Sequence, residues 1–127
     1  MKYFICTLGK IHLGIPAEQT ERIIQVNRIQ NVVHETENQN IFISIPELFR
    51  QKDAAAPHGI VLKSASGINT ILLAPKIDID MEIPEEHICQ LPASLEILFW
   101  YIKGGCFNGS NLILILDPEK LMERFYD

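Results

Sequence analysis

The chain has 127 residues, 47% of them hydrophobic and 21% charged, which is enough for one domain whose core needs neither a disulfide nor a metal. Its formal net charge is −5, and its eleven Lys and Arg residues form no run. This balance disfavours nucleic acid and anionic membranes as partners, because both need a local surplus of positive charge. The sequence shows no signal-peptide pattern, and its longest apolar run is too short to span a membrane, so we expect a cytoplasmic protein without membrane insertion.

The beginning of the chain has the pattern of a β-hairpin. Strand formers at Tyr3–Leu8 and Ile11–Ile15 flank Gly9, which adopts the positive φ of a tight turn without steric cost. Beyond Pro16, Ile23 and Ile24 fall on one side at helical spacing. We therefore expect a short helix that passes into a strand near Ile23.

The middle of the chain alternates polar loops with short strands. The polar segment Asn27–Asn40 predicts a loop, Ile41–Ile45 a strand, and Pro46–Phe49 one helical turn. A second loop is expected at 51–58. Gly59–Lys63 and Ile68–Ala74 then have the pattern of a strand pair around a hairpin loop.

After Pro75, charged and apolar residues alternate strictly from Lys76 as far as Ile83, which predicts an amphipathic strand. A last hairpin is expected from Leu98–Phe107 and Asn111–Leu116, the second of which has no polar face and should be covered on both sides. Asp117 is a suitable N-cap for a closing helix over Pro118–Phe125.

These elements amount to eight to ten short strands with turn signals every eight to twelve residues, one short helix and one terminal helix. That pattern predicts a mainly β fold, either small barrels or a sandwich. The residues that we expect to be buried are Ile15, Ile23, Leu72, Ile77, Leu114 and Leu116. The Leu98–Tyr101 aromatic cluster is expected to be mostly core, with some side chains on a contact surface.

A search for chemistry finds no convergent site. The four histidines lack the spacing of a metal pair, there is no phosphate loop or nucleophile elbow, and Cys6, Cys89 and Cys106 read as reduced thiols, Cys6 an inert core thiol. Asp78, Asp80 and Glu82 share one strand face and could bind a cation. We favour the solvated face of an amphipathic strand, since calcium sites usually add a Gly-bent loop. We therefore predict no catalytic residue, no metal site and no cofactor.

Three ordered stretches resemble the CheW-like domain family of chemotaxis coupling proteins. Phe4–Pro16 is similar to the family's opening hairpin, which ends in an Ala-Ile-Pro-type corner. The segment from Ile71 to Ile77, running on to Ile83-Pro84, resembles the middle Val-Asp-x-Val strand with its downstream Ile-Pro. Leu112–Leu121 is very close to the final strand and the Leu-Asp-Pro-x-x-Leu helix start. In order and spacing these stretches cover nearly the whole chain.

The resemblance implies a single domain over residues 1–127, made of two intertwined, small SH3-like β-barrel subdomains side by side with a short C-terminal helix. It also implies a non-enzymatic adaptor that couples the cytoplasmic tip of a chemoreceptor to the chemotaxis histidine kinase. Two alternatives stay open: a CheW-like module that binds another protein or itself outside chemotaxis, and a small enzyme or ligand-binding barrel that uses the carboxylates between Asp78 and Glu82.

The chain departs from the family in places that the family uses for partners. Most of a central Gly-x-x-x-x-Arg-Gly stretch is missing, Arg22 stands where an acidic residue is usual, and Pro75 replaces the Asp of Val-Asp. These changes concern the receptor and kinase contacts more than the fold.

The partner-binding residues that the resemblance implies lie near Arg22, within Ile41–Ile45 and along Lys76–Glu82. Shortened loops beside Ile41–Ile45 are expected to leave Phe42 or Ile43 partly uncovered, as suits a docking face flanked by charge. The acidic residues of Lys76–Glu82 would speed association with a partner. The predicted set is Arg22, Phe42, Ile43, Asp78, Asp80 and Glu82.

Overall fold

The computed structural model describes residues 1–26, 32–51, 55–64 and 66–126. Within these ranges the chain forms ten strands, three short α-helices and two single 3-10 turns, at Ala17–Gln19 and Glu85–His87. The strands are β1 Lys2–Leu8, β2 Ile11–Pro16, β3 Thr20–Gln25, β4 His34–Glu37, β5 Asn40–Ser44, β6 His58–Leu62, β7 Asn69–Ala74, β8 Ile77–Glu82, β9 Ile102–Asn108 and β10 Asn111–Leu116. The helices are α1 Ile45–Leu48, α2 Ala93–Glu96 and α3 Pro118–Tyr126.

The chain divides into two compact units. Unit 1 combines Met1–Glu18 with Asp78–Asp127, and unit 2 is the segment Gln19–Ile77 between them. Each contains a five-stranded sheet with a parallel strand pair, β2–β10 in unit 1 and β5–β7 in unit 2.

The sheet of unit 1 has the strand order β8-β1-β2-β10-β9. The β1–β2 hairpin turns at Gly9, whose φ is 64°, and β2 pairs in parallel with β10. One face of this sheet carries a buried cluster of Tyr3, Ile5, Ile83, Cys106, Ile113 and Ile115. The helix α3 follows β10 directly, and the Oδ1 atom of Asp117 accepts a hydrogen bond from the Lys120 amide at 3.3 Å, as the N-cap prediction requires.

The sheet of unit 2 has the order β3-β6-β7-β5-β4, in which β5 and β7 run parallel. Its apolar cluster consists of Phe42, Val61, Ile71 and Leu73, with Ile24, Val26 and Ala56 packed against it. Ser44 caps α1 by accepting a hydrogen bond from the Glu47 amide, and Pro46 stands in the first turn, where no amide donor is needed. The predicted fold class, mainly β in two subdomains with a C-terminal helix, is confirmed.

The prediction that Ile23 and Ile24 share one side at helical spacing was wrong. A strand begins at Thr20, so neighbouring side chains point to opposite faces: Ile24 packs on the core while Ile23 is 42% exposed. Of the other residues predicted to be buried, Ile15, Leu72 and Leu116 are fully buried, whereas Ile77 and Leu114 are only half-buried.

Three further predictions need correction. The polar segment Asn27–Asn40 contains β4, which pairs antiparallel with β5; residues 27–31 lie outside the described part of the chain. Leu98–Tyr101 is not strand, because helical turns continue past α2, with the Phe99 amide bonded to the Leu95 carbonyl at 2.9 Å. Leu112, expected to be covered, is exposed on the sheet face opposite Ile113.

Candidate docking surfaces

The structure places two of the predicted contact residues in the core. Phe42 is 9% exposed and Ile43 is fully buried, because β5 is an inner strand that pairs with β7 on one side and β4 on the other. The register sets Glu35 of β4 opposite Phe42. The expectation that Phe42 or Ile43 would be uncovered was therefore wrong. The reason is β4, a strand that forms within the segment predicted to be a polar loop and pairs with β5.

Arg22 lies on a different part of unit 2, the β3 edge, which we define as Glu21, Arg22 and Ile23. β3 is the outermost strand of its sheet, and its pairing with β6 shifts register between Thr20 and Arg22. The Arg22 guanidinium lies 3.0 Å from the Glu21 carboxylate, and both side chains are about half exposed. Ile23 is thus an exposed apolar side chain beside a charged pair on a strand at the edge of the sheet.

The acidic stripe, defined as Asp78, Asp80 and Glu82, lies on β8 beside β1. Each carboxylate has a different contact. Asp78 accepts a hydrogen bond from the Thr7 hydroxyl, Asp80 lies 3.3 Å from the Lys2 ammonium, and Glu82 lies 2.6 Å from the amino group of Met1. Asp80 and Glu82 are solvent-exposed, while Asp78 is half-buried, so only the outer part of the stripe is open to a partner.

The cysteine thiols of unit 1 that are buried have raised pKa values. Burial, and secondly the negative charge of Asp78, raises the pKa of Cys6 from 9.0 to about 12. Burial also raises the pKa of the Cys106 thiol in the unit 1 cluster. Both groups are thiols rather than thiolates at neutral pH, which makes them poor nucleophiles. No group of three or more His, Cys, Asp and Glu side chains suited to a metal ion occurs among the residues that the structure describes.

Unit 1 carries an apolar surface that the strand pattern did not predict. The helix α2 and the turns after it expose Leu95, Ile97 and Leu98, which we call the apolar tip, and Ile97 is 86% exposed. In the same aromatic-rich segment Tyr101 is buried. Within Leu98–Tyr101, Leu98 is thus exposed, and helical turns instead of strand alternation expose it; the use of this segment as a contact surface stays a prediction.

A cleft of about 710 Å³ lies beside the apolar tip, within unit 1. Its wall includes Phe99 and Trp100, and the Arg124 guanidinium lies 5.3 Å from the centre of the Trp100 ring. Lys103 and Lys120 also line it, and the Lys103 ammonium is 3.2 Å from the Glu85 carboxylate. Hydrogen bonding to Glu85 is the main cause of the raised pKa of Lys103.

The fold has relatives among solved structures. One is the scaffolding protein TtCheW from Thermoanaerobacter tengcongensis, which superposes with a TM-score of 0.75. The match covers 91% of this chain and 82% of that one at 15% sequence identity, and fifteen solved chains match in all. No protein-family model and no curated protein sequence matches the chain. At this identity the likeness shows a CheW-like fold.

Among the described residues, no helix has both the length and the apolar character needed to cross a bilayer. The likeness to TtCheW extends over both sheets, because 91% coverage cannot be reached by either unit alone. The framework that carries the β3 edge, the acidic stripe and the apolar tip is therefore the fold that this chain shares with TtCheW.

Proposed function

We propose that this chain is a non-enzymatic adaptor in bacterial chemotaxis signalling, working in the cytoplasm and coupling a chemoreceptor tip to the chemotaxis histidine kinase. The observation that carries the proposal is the fold likeness to a scaffolding protein across nine-tenths of the chain. The ordered sequence stretches from the opening hairpin to Leu112–Leu121 point independently to the same family. Function does not follow from fold alone, so the proposal also needs surfaces suited to docking.

The β3 edge is the first such surface. An outermost strand presents unpaired backbone groups that a partner strand can bond, and natural proteins usually protect such edges. Here the charged pair Glu21–Arg22 flanks Ile23, an apolar group open to solvent. Apolar contact would supply affinity, and the neighbouring charges would fix the register of the partner.

The outer part of the acidic stripe is the second surface. Asp80 and Glu82 are exposed, and their contacts with Lys2 and the Met1 amine are surface ion pairs, which contribute little to folding stability. These carboxylates can therefore exchange their present partners for basic groups of a docking protein at small cost. Such contacts speed encounter more than they strengthen the final complex.

Binding measurements with purified proteins test the proposal. The chain should bind the regulatory domain of a chemotaxis histidine kinase, a chemoreceptor tip fragment, or both, in biolayer interferometry. Ile23→Asp should weaken at least one of these interactions by about tenfold or more, because it places a charge in the apolar contact. Glu37→Ala, on β4 at the opposite edge of the same sheet, is the matched control and should bind as the original chain does.

Circular dichroism and thermal melts are the control for folding. We expect Ile23→Asp to be folded, because the Ile23 side chain is exposed. Failure of the folded original chain to bind either protein would contradict the adaptor role. Unchanged binding by Ile23→Asp would leave the role intact and remove the β3 edge from it.

A further inference from the structure

The apolar tip shares no residue with the β3 edge or the acidic stripe, and the adaptor role makes no use of it. Its three large side chains lie within four residues of sequence, and Ile97 is more exposed than the other large apolar side chains described. Single exposed apolar residues are ordinary on protein surfaces, whereas a contiguous group marks a contact site. Hydrogen bonds from the Phe99 amide to Leu95 and from the Ile102 amide to Phe99, both 2.9 Å, hold the segment in shape.

The cleft and the apolar tip are adjacent in sequence. Glu96 and Phe99 both line the cleft, and Ile97 and Leu98 are the two residues between them. Since Ile97 is 86% exposed, the tip does not fill the cleft of its own molecule. One surface of unit 1 thus presents a projecting apolar group and, next to it, a recess walled by the Trp100 ring.

Charges around the cleft favour approach by a second copy. The lining contains three cationic side chains, Lys103, Lys120 and Arg124, and three acidic ones, Glu96, Asp117 and Glu123. This face is therefore electrically balanced, although the whole chain carries −5. Lys103 forms an ion pair with Glu85, so we assign the other two lining cations, Lys120 and Arg124, to meet the Glu96 of an incoming tip.

We propose that two copies of this chain associate through this face, each inserting its apolar tip into the cleft of the other. A twofold interface requires one patch that is complementary to itself, and a projection beside a recess satisfies this when a twofold axis passes between them. Ile97 and Leu98 enter beside Trp100, and Glu96 approaches Lys120 and Arg124 of the other copy. The inference goes beyond the adaptor role, because it names a second copy as the occupant of a separate surface.

Sedimentation velocity of the purified full chain over a wide concentration range tests this. The original chain should show a monomer–dimer equilibrium. Ile97→Asp should weaken dimerisation by at least about tenfold, because a carboxylate cannot replace the apolar contact of the isoleucine side chain with the Trp100 ring. Phe107→Ser is the matched control: Phe107 is 75% exposed but does not line the cleft, so its loss should leave the dimer unchanged.

A charge exchange tests the pairing itself. Glu96→Lys should weaken the dimer, as should Lys120→Glu, and the two changes combined should restore much of the affinity because the ion pair is re-formed with reversed signs. A chain that remains monomeric at every concentration would overturn the proposal. So would an unaltered dimer in folded Ile97→Asp, or a double variant that dimerises no better than the singles.

The same variants keep this proposal distinct from the adaptor role. Ile97→Asp should still bind the kinase domain or receptor tip in interferometry, since the β3 edge is unchanged. If the original chain is monomeric and Ile97→Asp loses kinase or receptor binding, the tip docks a different protein. That outcome overturns self-association while supporting the adaptor role.

Discussion

The Cys6 thiol is buried in β1, and its pKa of about 12 lies well above the value of 9.0 for a free thiol. Between these two values the unfolded chain releases the thiol proton while the folded chain retains it. The free energy of unfolding therefore falls as the pH rises above 9, by up to about 1.4 kcal/mol per pH unit, and the stabilising contribution of the Cys6 thiol is fully present below pH 9. Urea denaturation between pH 8 and about 11 measures this slope.

Cys6→Ala provides the comparison, because other groups also titrate in this range. Burial raises the pKa of Tyr3 and of Cys106 as well, and both remain in the variant. Stability of the variant should fall less steeply with pH than that of the original chain. Parallel curves for the two proteins would show that Cys6 is not held as a thiol by its surroundings.

Phe42 should contribute strongly to the stability of unit 2. It packs with Val61, Ile71 and Leu73, so Phe42→Ala should lower the free energy of unfolding by about 3–5 kcal/mol. Ile23→Ala, at an exposed position of the same sheet, should change it by no more than about 0.5 kcal/mol. Chemical denaturation of the two variants distinguishes core from surface, and a stable Phe42→Ala that has lost only partner binding would contradict the core assignment.

The strand β9 contains two adjacent glycines, Gly104 and Gly105, which differ in how much space an added Cβ atom would have. A Cβ atom on Gly104 would lie 2.6 Å from the Cys89 carbonyl oxygen, whereas one on Gly105 would meet nothing nearer than Leu112 at 3.4 Å. Cys89 and Gly105 exchange two backbone hydrogen bonds of 2.8 and 2.9 Å along the edge of β9. Gly104 therefore allows the segment around Cys89 to cover this edge.

Gly104→Ala should accordingly destabilise the protein by about 1–3 kcal/mol, because backbone atoms must move to admit the methyl group. Gly105→Ala should be close to neutral, since its methyl group makes ordinary contacts and alanine restricts the unfolded chain more than glycine does. Urea midpoints of the two variants provide the measurement. Equal losses in both would show that strand flexibility, and not the contact with Cys89, decides the outcome.

The sequence predicted those elements whose side chains carry their own signal. The β1–β2 hairpin and the Asp117 cap follow from turn and capping chemistry, and both are confirmed. β4 consists of four polar residues, all of them exposed to solvent. It is a strand because it pairs with β5. Apolar composition alone cannot distinguish the helical turns after α2 from a buried strand. The exposure of Ile97 was for that reason beyond prediction.

For the whole molecule, the sequence predicted the two-subdomain β architecture through resemblance and not through local pattern. Unit 1 depends on parallel pairing of β2 with β10, which brings His12 opposite Ile113 across most of the chain. Nothing in either segment taken alone specifies that partner. The candidate site was less predictable: Arg22, Asp80 and Glu82 lie at the surface, but the burial of Phe42 and Ile43 required knowledge of β4.

The charge of the molecule should influence the rate at which a partner associates. Asp80 and Glu82 have side chains that are 48% and 67% exposed, so reversing both to Lys should leave the fold intact. Asp78 is left unchanged because it is half-buried and accepts the hydrogen bond from Thr7. If the stripe attracts a basic partner, the double variant should associate about tenfold more slowly at low salt and dissociate at an unchanged rate.

A second double variant separates local from overall charge. Each reversal adds two positive charges, so two reversals change the net charge from −5 to −1 wherever they are made. Glu35→Lys with Glu37→Lys makes this change on β4, whose side chains are exposed. Stopped-flow association with the kinase domain or receptor tip, at several ionic strengths, should show slow binding and a flatter salt dependence only in the Asp80–Glu82 variant. Equal slowing in both variants would assign the effect to net charge, and unchanged rates in both would remove the stripe from the encounter.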